Sequence, residues 1–231
     1  MKTIGLLGGM SWESTLEYYR IINETVKEKL GGFHSAKVVL YSVDFAEIET
    51  MQHKEEWDKA AALLIEAALR VEKAGADFVL LCTNTMHKVF GEIQGKIHIP
   101  LLHIADVTSQ EIKAKGLERI GLLGTRFTME QEFYKGRLAK KYGIEVLIPN
   151  QKERQAIHGI LYNELCLGEI KRVSQDVFRK IILRLEGKGA QGIILGCTEI
   201  PLLVNQKDYR LPLFDTTALH ARAAVEYALR D

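Results

Sequence analysis

The chain has little cysteine: three residues in 231, at Cys82, Cys166 and Cys197. Their spacing fits no metal-ligand pattern, so neither a disulfide framework nor a structural zinc site is expected. It has no excess charge of either sign. Lys and Arg total 31 against 30 Asp and Glu, for a net charge of +1, and the basic residues form no run. That argues against a nucleic-acid or membrane surface. No apolar stretch approaches the length of a membrane span. The apolar start from Ile4 to Leu7 is too short for the core of a signal peptide. There is no low-complexity linker. There is no G-x-G-x-x-G and no G-x-x-x-x-G-K-[ST] phosphate loop. The expectation is a cytoplasmic chain in a reducing compartment, without a metal. What remains is ordinary: 47% hydrophobic residues, enough for the core of one large or two small domains.

What is present is a repeated pattern. Residues 189 to 201 read Gly-Ala-Gln-Gly-Ile-Ile-Leu-Gly-Cys-Thr-Glu-Ile-Pro. A short apolar run bounded by glycines reads as a strand covered on both faces of a parallel sheet. Cys197, Thr198 and Glu199 then fall at its carboxyl end, the edge where open α/β sheets bind ligands. Residues 75 to 85 repeat this, with Gly75-Ala76 on Gly189-Ala190 at an offset of 114. Thr83, Asn84 and Thr85 fall on Cys197, Thr198 and Glu199. Ile4-Gly5-Leu6-Leu7-Gly8 matches Ile120-Gly121-Leu122-Leu123-Gly124 at 116, and Pro100-Leu101 matches Pro212-Leu213 at 112. Three matches in one order at nearly one spacing predict two structurally similar halves. Such halves can face each other across a cleft, with Thr83 and Cys197 on opposite sides.

Strands alternating with helices predict a parallel α/β sheet in each half. The first helix is expected from Trp12 to about Leu30, capped by Ser11, with Trp12, Leu16, Tyr19, Val26 and Leu30 as its apolar stripe. Gln52 is expected in a loop. A strand is expected over Ile99 to Ile104 and a single helix from Thr128 to about Tyr142. The expected division is 1–104 plus 216–231 for the first domain and 105–215 for the second, the last helix returning to the first half.

Each half has a glycine turn after its first strand, Gly8-Gly9-Met10 and Gly124-Thr125. Such turns let backbone N–H groups approach a carboxylate or phosphate, or are simply tight turns. Cys197 beside a helix start is expected to have a lowered thiol pKa. It then serves as nucleophile or base, or else is a buried inert thiol. His87, His103 and His220 are possible partners for a nucleophile. Of these His103 is the best placed, because the repeat sets it against Asp215 at matching strand ends, or else it is a satisfied structural residue. Strand alternation points Cys82 away from whatever Thr83 faces, hence into the core. Packing is the favoured role for Cys166.

Gly8-Gly9-Met10-Ser11, Thr83-Asn84-Thr85, Leu123-Gly124-Thr125 and Gly196-Cys197-Thr198-Glu199 together resemble the motifs of the cofactor-independent aspartate/glutamate racemases. The resemblance covers essentially the whole chain and is nearest to the enterobacterial branch described as broad-specificity amino-acid racemases. It implies two flavodoxin-like domains related by pseudo-two-fold symmetry, with the active site in the cleft between them. It also implies no pyridoxal phosphate or other cofactor, a homodimer, and a small amino-acid substrate. In the implied mechanism one thiol removes the Cα proton and a second supplies a proton to the other face. The catalytic candidates are Cys197 and Thr83. The substrate-binding candidates are Met10, Gln52, Asn84, Thr85, Thr125, Cys166, Thr198 and Glu199.

Two departures from the family pattern stand out. Typical members carry Cys-Asn-Thr where this chain has Thr83-Asn84-Thr85, and a threonine hydroxyl is a much poorer base near neutral pH. Family precedent then makes Cys197 the base acting on the L enantiomer. Members that read acidic side chains use a basic residue where this chain has Leu165-Cys166-Leu167. With Gln52 also neutral, uncharged amino acids become acceptable. The competing readings are a one-thiol decarboxylase or dicarboxylate cis–trans isomerase of the same superfamily, a non-catalytic carboxylate-binding protein, and a flavodoxin-type nucleotide switch.

Overall fold

A computed structural model describes residues 1–230. The elements alternate strand and helix. In chain order they begin β1 (Ile4–Gly8), α1 (Trp12–Leu30), β2 (Val38–Ser42), α2 (Phe45–His53) and α3 (Trp57–Lys73). Next come β3 (Phe78–Leu81), a 3-10 turn (Thr85–Val89), α4 (Phe90–Gln94), β4 (Leu101–Leu102) and α5 (Ile104–Ala114). Then follow β5 (Arg119–Gly124), α6 (Arg126–Glu130), α7 (Lys135–Tyr142), β6 (Glu145–Leu147) and α8 (Gln151–Asn163). After a 3-10 turn at Leu165–Leu167 come α9 (Arg172–Gly187), β7 (Ile193–Gly196), 3-10 turns at Ile200–Leu202 and Gln206–Asp208, β8 (Leu213–Asp215) and α10 (Thr216–Ala228).

The strands form two four-stranded sheets, ordered β2-β1-β3-β4 and β6-β5-β7-β8, and every pairing is parallel. The order is the same in both, and so is the register. Gly5 pairs Val79 and Leu7 pairs Leu81, while Gly121 pairs Ile193 and Leu123 pairs Leu195. These are the residues the sequence repeat superimposes. The chain divides into one unit of Met1–Ile104 with the residues from His220 on, and a second of Ala105–Leu219. The return to the first unit lies at His220, inside α10, rather than at that helix's first residue, Thr216.

In the first unit the side chains of β1 and β3 alternate between two cores. Ile4, Leu6, Phe78, Leu80 and Cys82 join Tyr18, Ile22, Val26, Ala224 and Val225 from α1 and α10. Leu7, Val79 and Leu81 join Leu64, Ala68 and Val71 of α3. A strand period of two with both faces covered gives this pattern. Each fully buried Leu, Ile or Phe contributes about 1.5–3 kcal/mol. Gly5 is required here, since a Cβ on it would sit 2.5 Å from Val71 Cγ1 and hold α3 off the sheet. In the second unit Ile120, Leu122, Ile193 and Ile194 are wholly buried, as are Ile157, Leu161, Phe178 and Ile182 of α8 and α9.

Helix α1 has the expected bounds but another inward face. Ser14, Thr15, Tyr18, Ile22, Thr25 and Val26 are buried, whereas Trp12, Leu16, Tyr19 and Leu30 are exposed. Hydroxyls turn inward by bonding back to helix carbonyls: Ser14 and Thr15 donate to Ser11 O, and Thr25 donates to Ile21 O. Satisfied in this way, they occupy the core face that apolar spacing alone assigned elsewhere. Gln52 lies on α2, capped by Asp44, and not in a loop. The helix expected from Thr128 is broken into α6 and α7, and β4 is much shorter than the expected strand.

Candidate active site

Both sheets end at their carboxyl edge in a polar corner. In the first unit β3 runs through Cys82 into Thr83, Asn84 and Thr85, which are 7%, 3% and 5% exposed. The Thr83 N–H donates to Leu81 O at 2.8 Å, turning the chain sharply off the strand. Its carbonyl accepts from His87 Nδ1 at 2.7 Å, while His87 Nε2 accepts from the Ile104 N–H at 3.2 Å. One nitrogen must donate and the other accept, so His87 is held as a neutral imidazole. Met86, between Thr85 and His87, accepts a hydrogen bond at its sulfur from Gln52 Nε2 at 3.0 Å. Gln52 is therefore joined to the Thr83 corner through a neighbour. Met10 is buried in the same apolar cluster as Ile48, Leu81 and Met86. The corner thus assembles Thr83, Asn84, Thr85, Gln52 and Met10 from three separate segments.

The buried histidines of this unit pack against one another. His103 packs 4.6 Å from both His87 and Phe90, ring centre to ring centre. His220 Nε2 donates to Leu102 O at 3.1 Å, and its Nδ1 meets the Tyr18 hydroxyl at 2.9 Å. Burial, reinforced by His87 nearby, pushes the His220 pKa down to about 3. Asp215 ends β8, and its Oδ1 accepts from the Thr217 and Ala218 N–H groups at 3.0 Å. It serves as the N-cap of α10.

In the second unit β7 ends at Gly196, and Cys197 follows. The fit is tight: a Cβ on Gly196 would lie 2.7 Å from Leu123 O, so only glycine lets β5 and β7 close up here. Register pairs Gly124 with Gly196, which sets Thr125 and Cys197 side by side at adjacent strand ends. Cys197 Sγ donates to Glu199 Oε2 at 2.9 Å, and Thr198 Oγ1 donates to the same oxygen at 2.9 Å. Glu199 is only 3% exposed. Cys166, in the 3-10 turn Leu165–Leu167, lies close enough to act on the same thiol.

Two expectations are corrected by this geometry. The Cys197 thiol is held well above its ordinary range rather than lowered. Burial is the main cause, then the negative charge of Glu199, then Cys166. The helix that was to lower it is a three-residue 3-10 turn, Ile200–Leu202, too short to supply a strong dipole. The glycine turns are also less open to an anion than expected. The Gly9 N–H is already bonded to Thr15 Oγ1 at 2.8 Å, and the Thr128 N–H to Thr125 Oγ1 at 3.2 Å. Gly9 is needed there for its backbone, at φ 89°, and for the Val43 carbonyl that a Cβ would strike.

Cys82 is fully buried in the α1–α10 core, and burial raises its thiol pKa. Sequence reasoning missed Thr128, buried beneath Thr125 and 3.1 Å from its hydroxyl. It also missed the bond between Cys197 and Glu199. Their two-residue spacing across a turn was the only available signal. Among the described residues no group of His, Cys, Asp and Glu is arranged to hold a metal ion. None of the helices described is long and apolar enough to cross a membrane.

Comparison with known proteins places this arrangement. The sequence profile of the family described as Asp/Glu/Hydantoin racemase matches residues 7–224. The broad specificity amino-acid racemase RacX of Bacillus subtilis is 26% identical over 230 residues, spanning 96% of both chains. A Yersinia pestis crystal structure, proposed as an Asp/Glu racemase, is 58% identical with a TM-score of 0.93, over 100% of both chains. PH1733 of Pyrococcus horikoshii OT3, an aspartate racemase homologue, is 36% identical with a TM-score of 0.86, again over 100% of both chains. The chain belongs to the Asp/Glu/Hydantoin racemase family.

Proposed function

We propose that the protein is an amino-acid racemase that needs no cofactor, with Cys197 removing the Cα proton of the L enantiomer. The observation that carries this reading is the Cys197 corner, a thiol at the end of β7 with its S–H already directed at a carboxylate 2.9 Å away. Removing a Cα proton leaves an electron pair that spreads into the substrate carboxylate. Hydroxyl and amide donors set around that carboxylate stabilise the charge as it forms. Asn84, Thr85, Thr125 and Thr198 are assigned that role. Thr83 is assigned the return of a proton to the other face, directly or through water. A hydroxyl is the weaker acid–base group, so Cα isotope exchange of the D enantiomer, which begins at Thr83, is slower than that of the L enantiomer, which begins at Cys197.

Leu165-Cys166-Leu167 and Gln52 place neutral groups where acidic side chains would call for a cation. The substrate class is therefore small amino acids, uncharged ones included, in keeping with the breadth named for the RacX relative. The protein is taken as a cytoplasmic homodimer. Its three free cysteines suit a reducing compartment, and light scattering on a sizing column checks the assembly. The lone thiol also supports a second reading, a decarboxylase or dicarboxylate cis–trans isomerase using Cys197 alone.

The deciding experiment is Cα exchange in heavy water, followed by NMR and chiral chromatography, with L-aspartate, L-glutamate and neutral L-amino acids. Exchange with appearance of the D form supports racemisation and ranks the substrates. Exchange with retained configuration leaves Cys197 working alone. No exchange with any amino acid rejects the racemase and turns attention to dicarboxylates.

A further inference from the structure

The first N–H groups of a helix have no partner inside it. In α6 two of them are taken up by side chains. The Thr128 N–H goes to Thr125 Oγ1 at 3.2 Å, and the Arg126 N–H to His158 Nδ1 at 3.3 Å. His158 comes from α8, 32 residues further along the chain, and the reaction described above gives it no task. We propose that His158 is a positioning residue for Thr125. It fixes the peptide that joins Thr125 to Arg126, and with it the direction in which the Thr125 hydroxyl meets the substrate carboxylate. This rests on the racemase reading, in which Thr125 is one of the carboxylate's donors.

That peptide is held from both sides. Its carbonyl, Thr125 O, accepts from the Met129 N–H at 3.0 Å. Its N–H is the one bonded to His158. Thr125 is the N-cap of α6, extended at φ −63° and ψ 160°, so the two bonds set the turn from strand β5 into the helix. Accepting at Nδ1 requires a ring nitrogen without its proton, which places the proton of the neutral ring on Nε2.

The packing of α8 brings His158 to this place. Ile157 and Leu161 are wholly buried and set the rotation of the helix. His158 and Tyr162, one residue after each, share the next stripe, with ring centres 4.7 Å apart. The His158 ring meets the Phe127 ring edge-on, at 6.0 Å between centres. One turn earlier, Arg154 Nε donates to Oε1 of Glu130, the last residue of α6, at 2.7 Å. Helix α8 therefore holds α6 at its first residue and at its last. The ion pair places the helix, while the His158 bond sets the peptide next to Thr125. Helix α8 then leads into the 3-10 turn that carries Cys166, so one element governs two of the residues assigned to the substrate.

The test compares wild type, His158→Asn and His158→Phe. Asparagine offers Oδ1 close to the place of Nδ1 and can still accept, whereas phenylalanine keeps a ring against Phe127 and Tyr162 and cannot. Exchange of the Arg126 amide proton is read by NMR without substrate. The constants kcat and KM are read from Cα exchange of the L-amino acid that the wild type exchanges fastest, and thermal melting is followed for all three proteins. In His158→Phe the Arg126 amide is expected to exchange about five- to tenfold faster, the loss of one net hydrogen bond. Its kcat/KM is expected to fall about 10- to 100-fold, the cost of a misplaced group. Most of that fall lies in kcat, because the charge that Thr125 meets develops in the transition state. His158→Asn restores both readings to near wild type, at a similar melting temperature. Wild-type kcat and KM in His158→Phe overturn the proposal. Equal losses in both variants that follow a lowered melting temperature also overturn it, in favour of packing. If the wild type exchanges no amino acid, the racemase reading fails and takes the assignment to Thr125 with it, while the Arg126 amide still separates His158→Phe from His158→Asn.

Discussion

The two carboxyl-edge corners have the same strand order and the same register, yet they are built for different work. Below Thr83 lies a set of neutral imidazoles, His87 and His220, fixed by bonds to Thr83 O, Ile104 N–H, Leu102 O and the Tyr18 hydroxyl. At Cys197 the side chain that follows the strand is ionisable and is bonded to a buried carboxylate. One corner is packed on neutral imidazoles, while the other holds a thiol bonded to a carboxylate. A repeated topology therefore specifies where chemistry is placed, and three residues after the strand specify which chemistry it is.

The largest expected effect removes the contrast. Cys197→Ala should lower Cα exchange at least about a thousandfold, as loss of a general base does, while thermal melting changes little. Exchange within tenfold of wild type would mean that another group is the base.

Acid should break the two units unequally. His220 titrates at about 3 in the folded chain against an ordinary 6.5. The unfolded chain therefore binds a proton that the folded chain refuses between those values. The stability this provides is fully present above pH 6.5 and is lost as pH falls toward 3. At about 1.4 kcal/mol per unit, the loss is on the order of several kcal/mol at the acid end. Hydrogen exchange near pH 4.5 should expose β1 and β3 before β5 and β7. His220→Gln, less stable at pH 7, should show a shallower acid slope by up to about one proton. An unchanged slope would mean that other groups set the acid limit.

Making the corners alike is a smaller change. Thr83→Cys is nearly isosteric and restores a thiol opposite in role to Cys197. It should raise exchange of the D enantiomer about tenfold or more, since a thiol is much the better base near neutral pH, with little effect on the L enantiomer. No gain would mean that Thr83 is not the group serving the second face.

Much of this was legible in the sequence. The repeat gave the duplicated sheets because parallel strands buried on both faces read as short apolar runs between glycines. Thr83 and Cys197 fell at strand ends for the same reason. The inward face of α1 was not legible, because Ser14, Thr15 and Thr25 are buried by bonding to their own helix, which no apolar count detects. Nor was the state of Cys197. Its pKa depends on burial and on where the Glu199 side chain turns, and these are tertiary facts. The same holds for His220, whose partners Tyr18 and Leu102 are far away in sequence.

Cys82 provides the smallest effect and the cleanest control on the contrast. It is adjacent to Thr83 in the chain, and strand alternation carries its side chain into the α1–α10 core with Tyr18, Ile22 and Phe78. If the corner's chemistry lies on one face of β3 only, Cys82→Ser should leave exchange rates within about twofold for both enantiomers. A hydroxyl placed in that apolar setting should still cost about 1–3 kcal/mol of stability, read as a lower melting temperature. Loss of activity without loss of stability would put the sulfur on the substrate's side of the strand. That would reverse the alternation on which the placing of Thr83 depends.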